Sequence, residues 1–226
     1  FSKVSNLEST DDENAVNGLH QWVTANRMKM SINDDWSFLG ELDFSLTEGS
    51  AVGGKLAKFS EVDLGFAYRP VSNSKLNMLG MYSYLYDLDP LQQFGSLALD
   101  ERSHVLSLEG LYEVTKRWEI GGKLAWKLAA VRMKRDAGNF FRSTTTLGII
   151  RARYHYLKNW DSLVEYRVLD VSEAQDQRRG FLASIERHLG KHVKVGSGYN
   201  FTDFNDDLTA LDYEAKGWFV NIVGKY

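Results

Sequence analysis

Hydrophobic and polar residues alternate with a period of two along most of the chain. In one stretch Trp36, Phe38 and Leu42 fall in one row, while Ser37 and Glu41 fall in the other. Such alternation predicts β-strands with one apolar face. About eleven segments show it clearly, and no stretch holds a 3.6-residue period over ~12 residues, so the sequence predicts an all-β fold.

The links between these segments alternate between short and long. Short links suited to tight hairpins lie at 33–35, 71–74, 115–117, 157–159 and 190–191. Longer polar links lie at 48–59, 88–102, 133–142, 170–179 and 203–213. In an up-and-down meander this order places every tight turn at one end of the sheet and every long loop at the other, as in outer-membrane barrels.

Strand parity predicts one further strand at the start of the chain. An even-stranded barrel needs a strand before the segment at Trp22, and residues 1–7 supply it, with 8–18 as its long loop. The predicted fold is therefore an all-β, up-and-down antiparallel transmembrane β-barrel of about 12 strands. Residues 1–226 form a single barrel domain, and we expect the first strand to close the barrel against the last.

In a barrel that spans lipid, the apolar row faces outward and the polar row faces the lumen. Leu124→Arg on the apolar row is then expected to be costly, and a polar change at Ala125 is expected to be mild. The charged residues predicted to line the lumen, as a pore or as a salt-bridge network, are Glu41, Asp63, Arg69, Lys123, Lys127, Arg151, Arg153, Glu165 and Arg167. Because both signs are present, we expect a nearly filled or weakly conducting lumen. The alternative is a selective pore along Arg69, Arg151, Arg153 and Arg167.

Tyrosine and tryptophan residues cluster towards both ends of the apolar rows. Their amphipathic rings favour the headgroup level of a membrane, so two aromatic girdles are predicted. Plain β-propensity is the alternative explanation. The predicted membrane-interface aromatics are Trp118, Trp160 and Trp218 on the turn side and Tyr84, Tyr86 and Trp126 further towards the loop side.

Composition limits the chemistry without changing the fold. The 27 basic and 30 acidic residues give a net charge of -3, which provides no electrostatic basis for binding nucleic acid. There is no cysteine, so disulfides and thiolate chemistry are excluded. The mean hydropathy of -0.35 is compatible with a membrane barrel, because only every second strand residue must be apolar.

Neither catalysis nor a metal centre is expected. The histidines lack metal-ligand spacing. Ser103 and His104 are adjacent, so on a strand they point to opposite faces and cannot act together. The chain is therefore not expected to be an enzyme, nor to carry a cofactor.

One loop has part of the spacing of a calcium site. Its oxygen-bearing residues are Asp203, Asn205, Asp207, Thr209 and Glu214. Leu208 occupies the position where a calcium loop requires glycine, and no helices flank the segment. A solvated acidic loop is the preferred interpretation, and calcium at Asp203, Asn205 and Asp207 is the alternative.

The chain ends in GWFVNIVGKY, and this strand resembles the terminal targeting strand of Gram-negative outer-membrane proteins. The stretches FAYRP, YSYLYDL, EYRVLD and VGSGYNFTDFNDDL resemble barrel modules at the C-terminal end of large bacterial surface or secreted proteins. This resemblance implies a place in the bacterial outer membrane and contact with its lipids and lipopolysaccharide. It also implies recognition by the barrel-assembly machinery through Trp218, Val220, Ile222 and Tyr226. Other envelope proteins are further expected partners, and the chain would be the C-terminal part of a longer one.

Three functions remain open from the sequence. The first is a membrane anchor or display module of a larger surface assembly. The second is a free-standing passive diffusion porin for small solutes. The third is a soluble all-β binding domain, which would bury the apolar rows instead of exposing them.

Overall fold

The computed structural model describes residues 2–9, 19–49, 54–88, 100–132, 139–157, 159–190, 192–204, 206, 208–209 and 216–224. These residues form twelve strands and one short 3₁₀ turn at Val71–Asn73. The strands are β1 Ser2–Ser9, β2 Leu19–Ser31, β3 Trp36–Gly49, β4 Gly54–Tyr68, β5 Leu76–Leu88, β6 Asp100–Glu113, β7 Trp118–Arg132, β8 Phe141–Leu157, β9 Trp160–Val171, β10 Asp176–Leu189, β11 Val193–Asn200 and β12 Gly217–Gly224.

All twelve strands belong to one antiparallel sheet in sequence order, from β1 to β12. The predicted all-β, up-and-down arrangement is therefore confirmed, and the expected first strand is present. Within the described ranges no helix has the length and hydrophobicity to span a bilayer.

The predicted closure of the first strand against the last is not formed among the described residues, where β1 pairs with β2 and β12 pairs with β11. The edges are the shortest part of the wall. β1, β11 and β12 have 8 residues each, whereas the longest central strand, β8, has 17. Parity predicted the number of strands, but closure also requires edges of matching length and stagger.

The tight turns lie where the sequence predicted them, but two of the predicted long links are short. Only residues 50–53 separate β3 from β4, and only residues 172–175 separate β9 from β10. In both places polar residues continue the strands. The β9–β10 turn is held by a 2.6 Å hydrogen bond from the Thr144 N–H to Glu173 Oε2, which lowers the pKa of the Glu173 carboxyl.

The two rows of each strand face opposite environments. On the outer surface Leu64, Leu108 and Leu124 are 41%, 46% and 49% exposed. On the inner surface the side chains of Glu165 and Arg167 are only 6% exposed. A water-soluble fold would show the opposite arrangement. The sheet therefore turns its apolar row outward and its ionic row inward.

The inner surface also contains an apolar patch, which differs from a uniformly polar lumen. A buried cluster joins five inward-facing residues of β6 to β9 to two residues that follow β11: Val105, Ala125, Leu147, Ile149, Leu169, Phe204 and Leu208. Ala125 is 1% exposed, so a polar change there is not mild as the sequence predicted. It would enter this packed cluster.

Candidate functional site

The most distinctive feature of the lumen is the chain that follows β11. We call its described residues 202–204, 206, 208 and 209 the inward segment. The side chain of Asn200 fixes the turn that leads into this segment: its Oδ1 accepts a 3.1 Å hydrogen bond from the Thr202 N–H. The Thr202 hydroxyl lies 2.5 Å from the same oxygen and 3.1 Å from the Phe204 carbonyl. This local turn is typical of an Asn side chain that redirects the backbone.

Two apolar side chains fix the inward segment against the wall. Phe204 is 1% exposed and Leu208 is 3% exposed, and both belong to the buried cluster of the lumen. Burial of a phenylalanine and a leucine in a packed core is worth about 2–5 kcal/mol each when tested by truncation to alanine. The inward segment is therefore an integral part of the interior packing.

Polar contacts add to this packing from both sides. Lys123 of β7 donates a 2.7 Å hydrogen bond from Nζ to the Asp206 carbonyl. Arg167 Nη2 of β9 lies 3.7 Å from Asp206 Oδ2. Near the rim, Arg178 Nη1 lies 3.7 Å from Asp203 Oδ2. Three strands thus hold the inward segment by charge as well as by apolar contact.

A glycine in β10 makes room for the start of the inward segment. A Cβ at Gly180 would lie 2.5 Å from Thr202 Cγ2 and 3.2 Å from Thr202 Cα. We expect Gly180→Ala to lower the free energy of unfolding by about 1–3 kcal/mol, because the buried Thr202 backbone cannot move aside without cost. Denaturant unfolding of the folded protein in lipid, followed by tryptophan fluorescence, measures this loss.

Gly110→Ala is the matched control for that substitution. Gly110 lies within β6, and a Cβ there would have no neighbour within 4 Å. Its free energy of unfolding is expected to stay within about 0.5 kcal/mol of the unsubstituted protein. Equal losses of unfolding free energy in Gly180→Ala and Gly110→Ala would show that the loss comes from replacing any strand glycine. The close contact between Gly180 and Thr202 would then have no special role.

The charged residues of the central wall form a network of ion pairs. Arg151 contacts Glu109 at 2.7 Å and Glu165 at 3.3 Å, and Arg167 contacts Glu165 at 2.6 Å. Further pairs join Lys127 to Glu101 at 3.0 Å and Arg153 to Glu119 at 3.0 Å. Removing one member of such a buried pair leaves the other charge buried without a partner, which lowers the free energy of unfolding by about 3–5 kcal/mol.

Of the four arginines considered for a cationic track, three lie in this paired network. Arg69 instead lies at the turn end, exposed, beside a cavity of about 410 Å³ that Lys29 and Glu109 also line. Arg69 is therefore set apart from the other three arginines. The four do not form a single row of cations along the lumen.

The inner face of β3 and β4 is acidic. Cross-strand register places Glu41 opposite Asp63 and Asp43 opposite Glu61 on the inner face. Arg27 neutralises one of these acids, at 2.6 Å from Glu41. A second cavity of about 250 Å³ lies between this wall and Leu208, and Lys123 lines it as well.

Another polar cluster lies at the turn end of the lumen. Asp161 is 6% exposed and lies 2.6 Å from His155 Nδ1 and 2.9 Å from His188 Nε2. Lys194 Nζ lies 3.5 Å from the same carboxylate and also contacts Glu186. The sequence showed only that the histidines lack metal-ligand spacing, since the shared partner of His155 and His188 becomes visible only when β8, β9 and β10 are paired.

The predicted aromatic residues lie on the outer surface, but Trp218 is not on the turn side as the sequence predicted. It stands at the start of β12 in register with Tyr199, at the end of the strand away from the 190–192 turn. The exposed fractions of the tryptophans are 47% for Trp118, 40% for Trp126, 39% for Trp160 and 82% for Trp218. Trp118 packs against Tyr154 with ring centroids 4.6 Å apart, and Lys58 lies 5.1 Å from the ring centroid of Tyr86. The ring of Tyr84, on the same outward row, lies 5.0 Å from that of His104.

The remaining predicted residues can also be placed. Val220 and Ile222 lie on the outward row of β12, and Tyr226 lies outside the described residues. Ser103 is fully buried on the inner face, whereas His104 is exposed on the outer face and contacts Tyr82.

For the calcium interpretation, Asn205 and Asp207 lie outside the described residues. In the described part of this loop Asp203 is exposed, as a solvated loop predicts, but Phe204 and Leu208 are buried. Phe204 and Leu208 turn that part into the lumen.

The arrangement as a whole is that of the wall of a membrane-spanning β-barrel. In an antiparallel sheet the backbone N–H and C=O groups form hydrogen bonds with neighbouring strands, as a bilayer requires. The large hydrophobic side chains outside suit contact with lipid, and the paired charges lie inside. Aromatic rings near both ends of the outer rows match the two membrane interfaces. This inside-out facing is that of a sheet that spans a membrane with its apolar row against lipid.

No protein-family model and no curated protein matches the chain. Several solved structures are similar to it, among them the following three. The NanC porin shares 9% identity and a TM-score of 0.49 over 100% of this chain and 99% of that one. OmpT, an outer membrane protein of Vibrio cholerae in its trimer form, shares 11% identity and a TM-score of 0.42, over 99% and 95%. The β domain of the Bordetella autotransporter BrkA shares 15% identity and a TM-score of 0.39, over 99% and 95%. At this level the likeness concerns the fold, and the membrane assignment rests on the facing of the side chains.

Proposed function

We propose that the protein is a membrane anchor of the bacterial outer membrane, whose barrel holds or displays a larger surface assembly and does not serve for transport. The observation that supports this proposal is the inward segment, whose Phe204 and Leu208 occupy the lumen between β6 and β9. A diffusion channel needs a continuous water-filled path, whereas an anchor needs only a stable wall.

The ion pairs of the wall support the same function. Arg151, Arg167 and Glu165 satisfy one another at 2.6–3.3 Å, and Arg167 also reaches Asp206 of the inward segment. Charges arranged in this way stabilise a fixed interior. A permeation path presents its charges to a passing solute instead.

A passive diffusion pore is the second candidate, and one observation favours it. The cavity of about 410 Å³ lies at the turn end among β2 to β6. The cavity of about 250 Å³ lies between the β4 wall and the buried cluster, whose Val105, Ala125 and Leu208 line it. If they joined into one path, its β4 wall would present Glu61 and Asp63 to a solute. Such a pore would be narrow and would prefer cations.

Planar-bilayer recording of the purified, folded protein distinguishes the two functions. The anchor predicts no step-like current in molar KCl beyond the baseline of the empty bilayer. Regular, long-lived current steps with cation preference in a KCl gradient would contradict the anchor and support the pore. Circular dichroism of the same sample confirms that the recorded protein is folded.

A soluble binding domain is the least compatible with the structure. Leu106, Leu128 and Ile185 are 53%, 56% and 55% exposed, and many large hydrophobic residues share their row. A surface of this kind would aggregate in water. Extraction of the native protein into buffer without detergent would contradict both membrane functions.

A further inference from the structure

A group of arginine residues lies on the outer surface of the sheet at the loop end. Arg102 of β6 and Arg142 of β8 both lie in register with Ala130 of β7, one on each side of it. With neighbouring strands about 4.8 Å apart, their backbones are roughly 10 Å from each other. Arg132 lies one outward position further along β7. We call Arg102, Arg132 and Arg142 the arginine cluster.

An aromatic ring organises two of these side chains. The guanidinium carbon of Arg102 lies 5.0 Å from the centroid of Phe140, and that of Arg132 lies 4.8 Å from the same centroid. Arg102 also lies 5.4 Å from the ring centroid of Tyr86. Stacking holds a guanidinium by its face and leaves its edge N–H groups directed away from the ring. The cluster is therefore preorganised for an acceptor that meets those edges.

The charge of the cluster is only partly compensated. Arg132 contacts Asp100 at 2.5 Å, and Asp100 is 1% exposed. Within the described ranges neither Arg102 nor Arg142 forms an ion pair, and both are exposed. The cluster thus presents a net positive charge. The next outward row towards the sheet centre holds His104, Leu128 and Thr144, and the row after it holds Leu106, Trp126 and Thr146.

The height of the cluster matches a membrane interface. Along β7, Ala130 lies twelve residues from Trp118 at the turn end. At ~3.3 Å per residue and a strand tilt of ~40°, the two positions differ in height by roughly 30 Å. An outward apolar band of an outer-membrane barrel is about 25 Å tall. If Trp118 marks one interface, the arginine cluster lies just beyond the other.

We infer that the arginine cluster is a binding site for the phosphate groups of an outer-leaflet lipid. Guanidinium and phosphate pair through two parallel hydrogen bonds, and the exposed Leu128, Leu106 and Trp126 in the next two rows accept the acyl chains of the same molecule. This inference rests on the membrane embedding of the proposed function. It is independent of whether the lumen conducts, because the site lies on the outer face.

Native mass spectrometry of the folded protein tests the site, with diphosphoryl lipid A and its dephosphorylated form as probes. We expect the diphosphoryl form to bind at least about ten-fold more tightly to the unsubstituted protein. The double variant Arg102→Gln and Arg142→Gln should lose most of that preference. Lysine at both positions should restore part of that preference, because lysine keeps the positive charge but lacks the paired N–H donors of a guanidinium.

Arg187→Gln is the matched control. Arg187 is also exposed on the outer face and also stacks on an aromatic ring, 5.2 Å from the centroid of Trp160, but it lies at the turn end. We expect this variant to bind the diphosphoryl probe as the unsubstituted protein does. Equal binding of the two lipid forms, or an equal loss in Arg187→Gln, would overturn the inference. Displacement of the lipid by millimolar inorganic phosphate would also overturn it, since the site would then serve a free anion.

Discussion

Phe204→Asp is expected to convert a silent barrel into a conducting one. The phenyl ring is 1% exposed among Val105, Leu147 and Leu169, so a carboxylate there would be buried without a partner in an apolar cluster. Loss of the ring alone costs about 3–5 kcal/mol, which changes the ratio of the inserted to the released inward segment by roughly 10²–10⁴. Planar-bilayer recording should then show current steps that the unsubstituted protein lacks.

Phe201→Ala is the control for this result. Phe201 precedes the inward segment but is 57% exposed on the outer face, where it packs against Tyr199. Its removal leaves the lumen unchanged, so the variant should remain silent. If Phe204→Asp stays silent while circular dichroism shows a folded protein, other parts of the chain fill the lumen, and the role given to Phe204 is wrong.

Leu124→Arg is expected to lower the free energy of unfolding in lipid by about 2–4 kcal/mol. Leu124 lies near the middle of β7 and is 49% exposed on the outer face, where hydrocarbon would surround a new charge. Reversible denaturant unfolding in phospholipid vesicles, followed by tryptophan fluorescence, measures the difference.

Ser107→Arg is the control at the same depth on the other face. Ser107 is in register with Ala125, the neighbour of Leu124, and it lines the cavity of about 250 Å³ that also holds Glu61 and Asp63. An arginine there enters a space with carboxylates, so its cost is expected to be far smaller. A larger loss for Ser107→Arg than for Leu124→Arg would reverse the assignment of inside and outside.

The sequence predicted the facing of the strands well, because a two-residue period is a local property. The rows of Leu64, Leu108 and Leu124 are outside as predicted, and the tight turns lie at one end of the sheet. The ends of two strands were harder to predict. Around 170–179 the residues are polar, yet their backbones continue the ladder of β9 and β10. Polarity reports contact with water, whereas a strand end depends on hydrogen bonding across the ladder.

The interior was less predictable for a different reason. Phe204 and Leu208 stand in an acidic stretch, and within 203–209 they are the two apolar residues, four positions apart, that distinguish it from a solvated loop. Their burial depends on Leu147, Ile149 and Leu169, which lie 35 or more positions earlier in the chain. Likewise, composition shows that Arg151 and Glu165 are present on inner rows, but their contact needs the register of β8 with β9.

The most direct test of the account is a spin-label scan along β7, from Trp118 to Arg132, in phospholipid vesicles. The chain has no cysteine, so each label can be introduced singly. The account predicts a period of two, with labels on the row of Leu124, Trp126 and Leu128 accessible to oxygen dissolved in lipid and shielded from a water-soluble nickel chelate. Labels that lack this alternation, or that show the chelate reaching the row of Leu124, would contradict the outward facing of the apolar row.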